Sequence, residues 1–305
     1  MSHPSVSVVV PLYNHEKYLA VALDSVLDQS LPATEIIVVD DASTDGSAAI
    51  AQRYAERNPQ IRLLRQHPNQ GAHCAINTGI HMADGEYVAI LNSDDAYVAD
   101  RLRECAEVLA ARRDIAAVAT DLEFVNDRGT LVRNAWYEKA RAFHRETGDL
   151  ALALANGNFI MTTSNLVLRR SVFAEVGEFR GLRYAHDLDF LLRLLLAGKH
   201  IHLIERPLAR YRLHATNTIK ENDLKVRAEW ASVVAYFAYS LFARRPAVRE
   251  TWDYYRRLLQ IAERHQLTKM IFMFLAFFQT LPPGEATSEA FLHHPEFQRH
   301  IMEIV

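Results

Sequence analysis

The sequence predicts an α/β fold: a mixed, mostly parallel sheet sandwiched by helices, with a helical subdomain at the carboxyl-terminal end. Three observations carry the prediction. From residue 6 onward, short β-branched runs alternate with segments of helical periodicity, the pattern of βαβ units. Runs such as Val8-Val9-Val10 and Ile36-Ile37-Val38-Val39 are apolar on both faces, as strands are when helices cover each side of a sheet. After Glu221 the strand signal stops and only helical pattern remains.

In order, Val6–Val10, Glu35–Val39, Ile61–Leu64 and Tyr87–Leu91 read as strands, and Tyr18–Asp28, Ser47–Arg57 and Ala72–Met82 as the helices between them. Asp127-Arg128-Gly129 reads as a hairpin turn between Glu123–Asn126 and Thr130–Asn134; it breaks the alternation and makes the sheet mixed. A helix begins near Asp187 and ends at Gly198, a glycine where a helix terminus accepts a left-handed residue. His200–Ile204 and Ala209–His214 read as extended segments. These elements suggest one domain over residues 1–220 and a helical subdomain over 221–305, packed through Trp230, Tyr236, Phe237, Trp252, Tyr254 and Tyr255.

Composition narrows the function. A chain of 305 residues with half its positions apolar can bury a large core, and a formal charge of −3 argues against a nucleic-acid partner. The two cysteines, Cys74 and Cys105, sit in helical pattern without a Cys-x-x-Cys spacing, which disfavours a disulfide scaffold and a zinc site and suits a reducing cytoplasm. Met1–Val10 lacks the charged and apolar regions of a secretory signal. The run Met270–Phe278 is far short of the about 18 to 20 residues that cross a bilayer, and reads as a buried or helix-pairing face or an interfacial segment.

In open α/β sheets ligands bind beyond the carboxyl ends of the strands, and polar residues gather there. Pro11-Leu12-Tyr13-Asn14 follows the first strand, Asp40-Asp41-Ala42-Ser43-Thr44-Asp45-Gly46 the second, Asn69-Gln70-Gly71 the third and Asn92-Ser93-Asp94-Asp95 the fourth. Carboxylates on a strand-end loop are what Mg²⁺ or Mn²⁺ needs when it also grips phosphate; the same pair also reads as a turn or helix cap. Asp40 and Asp41 are adjacent carboxylates at the end of a buried strand, costly unless a donor satisfies one of them, and an acceptor there suits a pyrimidine imide N–H. A nicotinamide dehydrogenase is excluded, since Pro11-Leu12-Tyr13-Asn14-His15-Glu16 holds no Gly-x-Gly-x-x-Gly turn.

Taken in order, Val-Val-Val-Pro-Leu-Tyr-Asn, Val-Val-Asp-Asp-Ala-Ser-Thr-Asp-Gly-Ser, Asn-Gln-Gly and Asp-Gly-Glu-Tyr-Val-Ala-Ile-Leu-Asn-Ser-Asp-Asp resemble the inverting family-two glycosyltransferases, densely over residues 5–105 and more thinly to 215. The resemblance implies a GT-A, Rossmann-like fold, a nucleotide-sugar donor with UDP as the default, and Mn²⁺ or Mg²⁺ held through an Asp-x-Asp type motif. By position, Asp94 resembles the metal-binding aspartate and Asp41 the nucleobase contact, with Pro11, Tyr13, Asn14, Asn69, Gly71, Asn92 and Ser93 around the donor. Asn92 replaces the first acid of the motif, and Ile76 stands where relatives carry Arg.

Ala185-His186-Asp187-Leu188-Asp189 resembles the family's Glu-Asp segment before an apolar helix, with His186 in place of Glu, so Asp187 is the implied catalytic base. The alternative reading is a helix cap at Asp187 beside an Asp189–Arg193 pair at i, i+4. Tyr211-Arg212-Leu213-His214 with Asn217 resembles a late segment near the diphosphate, where His214 is read either as a diphosphate or metal neighbour or as a surface residue. Asn158-Phe159-Ile160 and Thr162-Thr163-Ser164-Asn165 read as acceptor-side lining or as an ordinary loop. The resemblance implies a glycan or lipid-linked acceptor in bacterial polysaccharide assembly, in the cytoplasm or at the inner membrane face, with the late helices making a peripheral membrane contact or a homodimer. The competing reading is an inactive nucleotide-sugar-binding module, motivated by Asn92 and His186.

Overall fold

The computed structural model describes residues 4–218, 221–243 and 248–304. In chain order the elements are β1 (Val6–Leu12), α1 (Leu19–Leu27), β2 (Glu35–Asp41), α2 (Ser47–Arg57), β3 (Ile61–Gln66), α3 (Ala72–Met82), β4 (Tyr87–Ile90), β5 (Ala96–Tyr97) and α4 (Arg101–Ala111). There follow β6 (Ile115–Asn126), β7 (Leu131–Val132), α5 (Ala135–Thr147), α6 (Leu150–Asn156), β8 (Val167–Arg169), α7 (Val172–Val176), α8 (His186–Leu196) and β9 (His200–Leu213). Four helices close the chain: α9 (Asp223–Ala243), α10 (Val248–Arg264), α11 (Thr268–Thr280) and α12 (Pro295–Glu303).

The described strands form one mixed sheet in the order β3-β2-β1-β4-β8-β6-β9-β5, with β7 beside β6. β1 runs parallel to β2 and β4, and β6 parallel to β9, whereas β8 is antiparallel to both β4 and β6. His200–Ile204 and Ala209–His214, read separately in sequence, are one strand, β9, because register shifts against β6 around Thr120, Asp121 and Leu122 absorb the irregular middle. The Asp127 hairpin is present, but its second arm shrinks to the exposed pair Leu131-Val132.

The chain divides into two compact units. The first runs through Arg133 and adds Ile160–Phe179 and Gly198–His214. Its core is the fully buried β1, β2 and β4, covered by helices whose apolar faces recur at helical spacing, as with Leu19, Ala22, Leu23 and Val26 of α1. Helix α3 lies close on β1 because Gly79 carries no side chain: a Cβ there would stand 2.3 Å from Val9 Cγ1. Pro11 is tolerated inside a central strand because it lies past Val9, the last β1 residue paired with β4, so its missing N–H costs no bond on that side.

The second unit comprises Asn134–Phe159, Arg180–Ala197 and the chain from Ala215 on. α9 and α11 pack together, and Phe274, Phe277 and Phe278 bury in a cluster with Phe291 and Phe297, the Phe277 and Phe297 rings stacked at 4.2 Å. The run Met270–Phe278 therefore lies in a partly buried helix, with Phe272 on its exposed side. No helix among the described residues is long and apolar enough to cross a membrane. Within α8, the buried Asp189 accepts from Arg193 Nε at 2.7 Å and from Arg180 at 3.1 Å, so a carboxylate 1% exposed is fully compensated.

Candidate active site

In the first unit the loops after β1 and β2 are laced together. Asn14, at φ 52°, accepts from Thr44 N–H at 2.8 Å through Oδ1, while its own N–H donates to Ser43 Oγ. Glu16 N–H donates to Asp45 Oδ2, and Asp45 Oδ1 accepts from the N–H of Ser47, the first residue of α2. Ala42 also has positive φ, 63°, directly after Asp41, a strained backbone of the kind that gathers at ligand sites. Pro11 is buried in β1 and Tyr13 is exposed just beyond it.

Asp41 is 2% exposed, and its carboxylate is clamped by backbone: Oδ1 accepts from Gln70 N–H at 2.8 Å and Oδ2 from Gly71 N–H at 2.7 Å. Asn69 Nδ2 donates to the Asp41 carbonyl. Gly71 caps the amino end of α3 at φ 92°, which only glycine adopts without strain. Asp41, Asn69 and Gly71 thus meet at the ends of β2 and β3. Ile76, where the resemblance implied Arg, is fully buried, and its neighbour Asn77 holds the Phe179 backbone by two hydrogen bonds.

The loop after β4 rests on a polar plug, Thr162-Thr163-Ser164. Asn92 is held there through its side chain, Nδ2 donating to Thr162 Oγ1 and Oδ1 accepting from Thr163 Oγ1, both at 2.9 Å. Asp95 is buried; its Oδ2 accepts from Ser164 Oγ at 2.6 Å and its Oδ1 from Arg212 N–H at 2.9 Å. Burial and the neighbouring Asp94 charge push the Asp95 carboxyl up to about 8. In Thr162–Asn165, a segment with two readings in sequence, Thr162, Thr163 and Ser164 support Asn92 and Asp95, while Asn165 bonds Thr120.

Asp94 stands apart from that plug and gathers imidazoles. His214 Nε2–H reaches Asp94 Oδ2 at 3.0 Å, and His15 Nε2 lies 4.0 Å from the same oxygen. His15 Nδ1 is 2.8 Å from Ser93 Oγ. One donor atom from each of His15, Asp94 and His214 lies within 4.8 Å of the others. Burial opposes the charge on Asp94, but the His214 hydrogen bond and both imidazoles outweigh it and hold this carboxyl below its ordinary value. Burial keeps His15 below the ordinary histidine value, hence neutral and able to offer a lone pair. The Tyr18 ring lies against His214 at 5.1 Å and His15 at 6.0 Å, and the Arg212 guanidinium sits 5.0 Å over Tyr18. A carboxylate with two imidazole rings is a donor set that fits a divalent cation of the Mn²⁺ kind.

Asp187 belongs to the second unit, in the first turn of α8, where the cap position falls on Ala185. Its Oδ1 accepts from Leu188 N–H at 2.7 Å and its Oδ2 from Asn158 Nδ2 at 2.8 Å. Burial raises this carboxyl, opposed by His186 and by these two donors. The segment entering α8 is fixed by Glu229 of α9, which accepts from the backbone N–H of Arg183, Tyr184 and Ala185 at 3.0, 2.6 and 3.0 Å.

Sequence reasoning missed His15 and Glu229. The signal for His15 was its place three residues past the end of β1, next to the strand that delivers Asp94; Glu229 left none, being one acid among many on a helical stretch.

The sequence profile of Glycosyl transferase family 2 matches residues 7–177. Over 249 residues the chain is 31% identical to TuaG of Bacillus subtilis strain 168, a protein named for teichuronic acid biosynthesis, covering 82% of this chain and 92% of TuaG. Over 250 residues, 78% of this chain, it is 31% identical to a hyaluronan synthase of Pasteurella multocida, of which it spans 24%. Among solved structures, S. aureus TarS 1-349 in complex with UDP-GlcNAc aligns with TM-score 0.63 and 19% identity over 97% of this chain and 81% of TarS. TarS 1-349 in complex with UDP aligns with TM-score 0.57 and 17% identity over 90% of this chain and 91% of that one. The likeness to TarS carries the fold, which is the α/β class expected from sequence.

Proposed function

The chain belongs to glycosyl transferase family 2, and on that premise we propose that it moves a sugar from a nucleotide-sugar donor to a hydroxyl of a glycan or lipid-linked acceptor, with inversion in a single displacement. The observation that supports this most is the convergence of His15 and His214 on Asp94 beside the buried Asp95. UDP-sugars are the first donors to test, since the TarS structures hold UDP and UDP-GlcNAc.

A divalent cation, Mn²⁺ or Mg²⁺, held by Asp94 and His214 would offset the charge that builds on the leaving diphosphate. Asp41, between Gln70 and Gly71, keeps a lone pair on each oxygen for a nucleobase imide N–H, with Pro11, Tyr13 and Asn14 at the end of the neighbouring strand β1 and Asn69 holding its carbonyl. Asn92 and Ser93 are the proposed sugar-side neighbours. Asp187 is the proposed base: it takes the proton of the acceptor hydroxyl as that oxygen attacks the anomeric carbon, and Asn158 orients its Oδ2. The exposed Trp252 and Phe272 of the second unit are the proposed contact to a membrane surface or a second copy.

The test is a thermal-shift panel of nucleoside diphosphates with Mn²⁺, followed by release of the selected nucleotide from its sugar donors across an acceptor panel. A selective diphosphate together with acceptor-dependent release is expected. Selective binding without any release across the panel would leave a donor-binding module instead, and no nucleotide preference at all would refute the proposal.

A further inference from the structure

We infer that His15 is a third ligand of the cation at Asp94 and His214, and that the two imidazoles make the site prefer Mn²⁺ over Mg²⁺. The inference rests on the proposed cation site and adds to it a residue, a supporting hydrogen bond and an ion preference.

The first ground is distance. His15 Nε2 and Asp94 Oδ2 are 4.0 Å apart, too far for a hydrogen bond, yet no farther than the about 4.0 to 4.4 Å that two ligands can stand apart across one cation with bonds of about 2.0 to 2.2 Å. The second is orientation. Ser93 Oγ, on a residue 1% exposed, lies 2.8 Å from His15 Nδ1. An Nδ1–H donating to that oxygen fixes the tautomer and turns the Nε2 lone pair toward Asp94, the arrangement by which metal-binding histidines are aimed. The third is confinement. The Tyr18 ring contacts both imidazoles, and the two imidazoles meet edge-on at 5.9 Å, so neither swings freely.

Topology explains why this residue reaches the site. β1 and β4 are parallel neighbours, paired through Val9 and Ile90, so the turn after β1 lies beside the turn after β4. His214 arrives from the far side because β5, directly after Asp95, pairs with β9 at Ala96 and Arg210. An ion held by His214 Nε2 would require the ring proton to sit on Nδ1, in place of the Nε2–H that faces Asp94. Mg²⁺ prefers oxygen ligands, whereas Mn²⁺ and Co²⁺ accept imidazole nitrogen, hence the expected preference.

The test titrates the full chain, without nucleotide, with Mn²⁺ followed by electron paramagnetic resonance, with Mg²⁺ as competitor. The wild type is expected to bind Mn²⁺ at least about tenfold tighter than Mg²⁺; His15→Gln weakens Mn²⁺ by about 10- to 100-fold while moving Mg²⁺ little, and Ser93→Ala shifts Mn²⁺ in the same direction by less. As a check that needs no variant, electron spin-echo envelope modulation of Mn²⁺ bound to the wild type shows two directly coordinated imidazole nitrogens. Unchanged Mn²⁺ affinity in His15→Gln, with only one coordinated imidazole nitrogen in the wild type and Asp94→Asn binding lost, overturns the third ligand and leaves the cation site standing. Absent Mn²⁺ binding, or binding indifferent to Asp94→Asn, overturns both.

Discussion

Arg212 ties its own strand to the acidic loop twice: its backbone N–H donates to Asp95 Oδ1 at 2.9 Å, and its Nε donates to the Asp94 carbonyl at 2.8 Å. These two bonds set the register at which β9 delivers His214, two residues on, to the side chain of Asp94. Arg212→Met keeps the first bond and removes the second, leaving a part-buried carbonyl without that donor. We expect a loss of about 1 to 3 kcal/mol in stability and weaker Mn²⁺ binding, although Arg212 is not a ligand. Chemical denaturation and Mn²⁺ titration of the variant measure both; unaltered Mn²⁺ affinity would mean that His214 does not depend on this anchor.

Asn92→Asp installs the acid that the sequence resemblance implied at this position, but here it replaces an amide that donates to Thr162. A third carboxylate beside Asp94 and Asp95 adds repulsion with no new donor in place. The variant should be less stable than wild type without metal and gain more from added Mn²⁺. Thermal unfolding with and without the ion decides this, and equal Mn²⁺ shifts in the two proteins would contradict it.

Asp187→Asn should lower turnover by about 10² to 10⁴ with donor KM little changed, since a base acts in the transition state and not in donor binding. Burial lifts the folded-state value of Asp187 above the ordinary aspartate range, so the ionised base is lost as pH falls through that raised value. The acid limb of the wild-type kcat profile should therefore lie above about pH 3.9. The same shift means that the protonated form favours the folded state, a contribution lost as pH rises through the folded value. Steady-state kinetics over pH measure the limb, and full activity in Asp187→Asn would remove the base assignment.

Glu229→Gln exchanges a carboxylate that accepts three amide protons for a group with one acceptor oxygen and an NH₂ facing donors. Amide exchange of residues 183–185 should accelerate, with stability down by about 1 to 3 kcal/mol, while Mn²⁺ binding stays at the wild-type level. Hydrogen exchange read by mass spectrometry resolves the segment; unchanged protection there would show that the three hydrogen bonds do not hold it.

The parts of this molecule that could be read from sequence are the local ones. β1 and β2 announce themselves through valine and isoleucine runs, and Asn92–Asp95 through acids on a strand-end turn. What stayed hidden depends on strand neighbours far apart in the chain. β8 is three residues long, too short for a periodicity, yet its pairing with β4 and β6 is what accompanies Ser164 beneath Asp95. His15 looks like any polar turn residue until β1 is set beside β4. Pro207, with Glu205 and Arg206 before it, divides β9 in sequence, and only the irregular register against β6 makes it continuous.

The most direct test of the central claim is UDP binding to wild type and Asp94→Asn, each with and without Mn²⁺, by calorimetry. The account predicts that Mn²⁺ tightens UDP by about tenfold or more in the wild type and leaves the variant unmoved, because Asp94 would hold the ion that offsets the diphosphate charge. UDP affinity that ignores Mn²⁺ in the wild type, or responds to it equally in Asp94→Asn, would contradict the account.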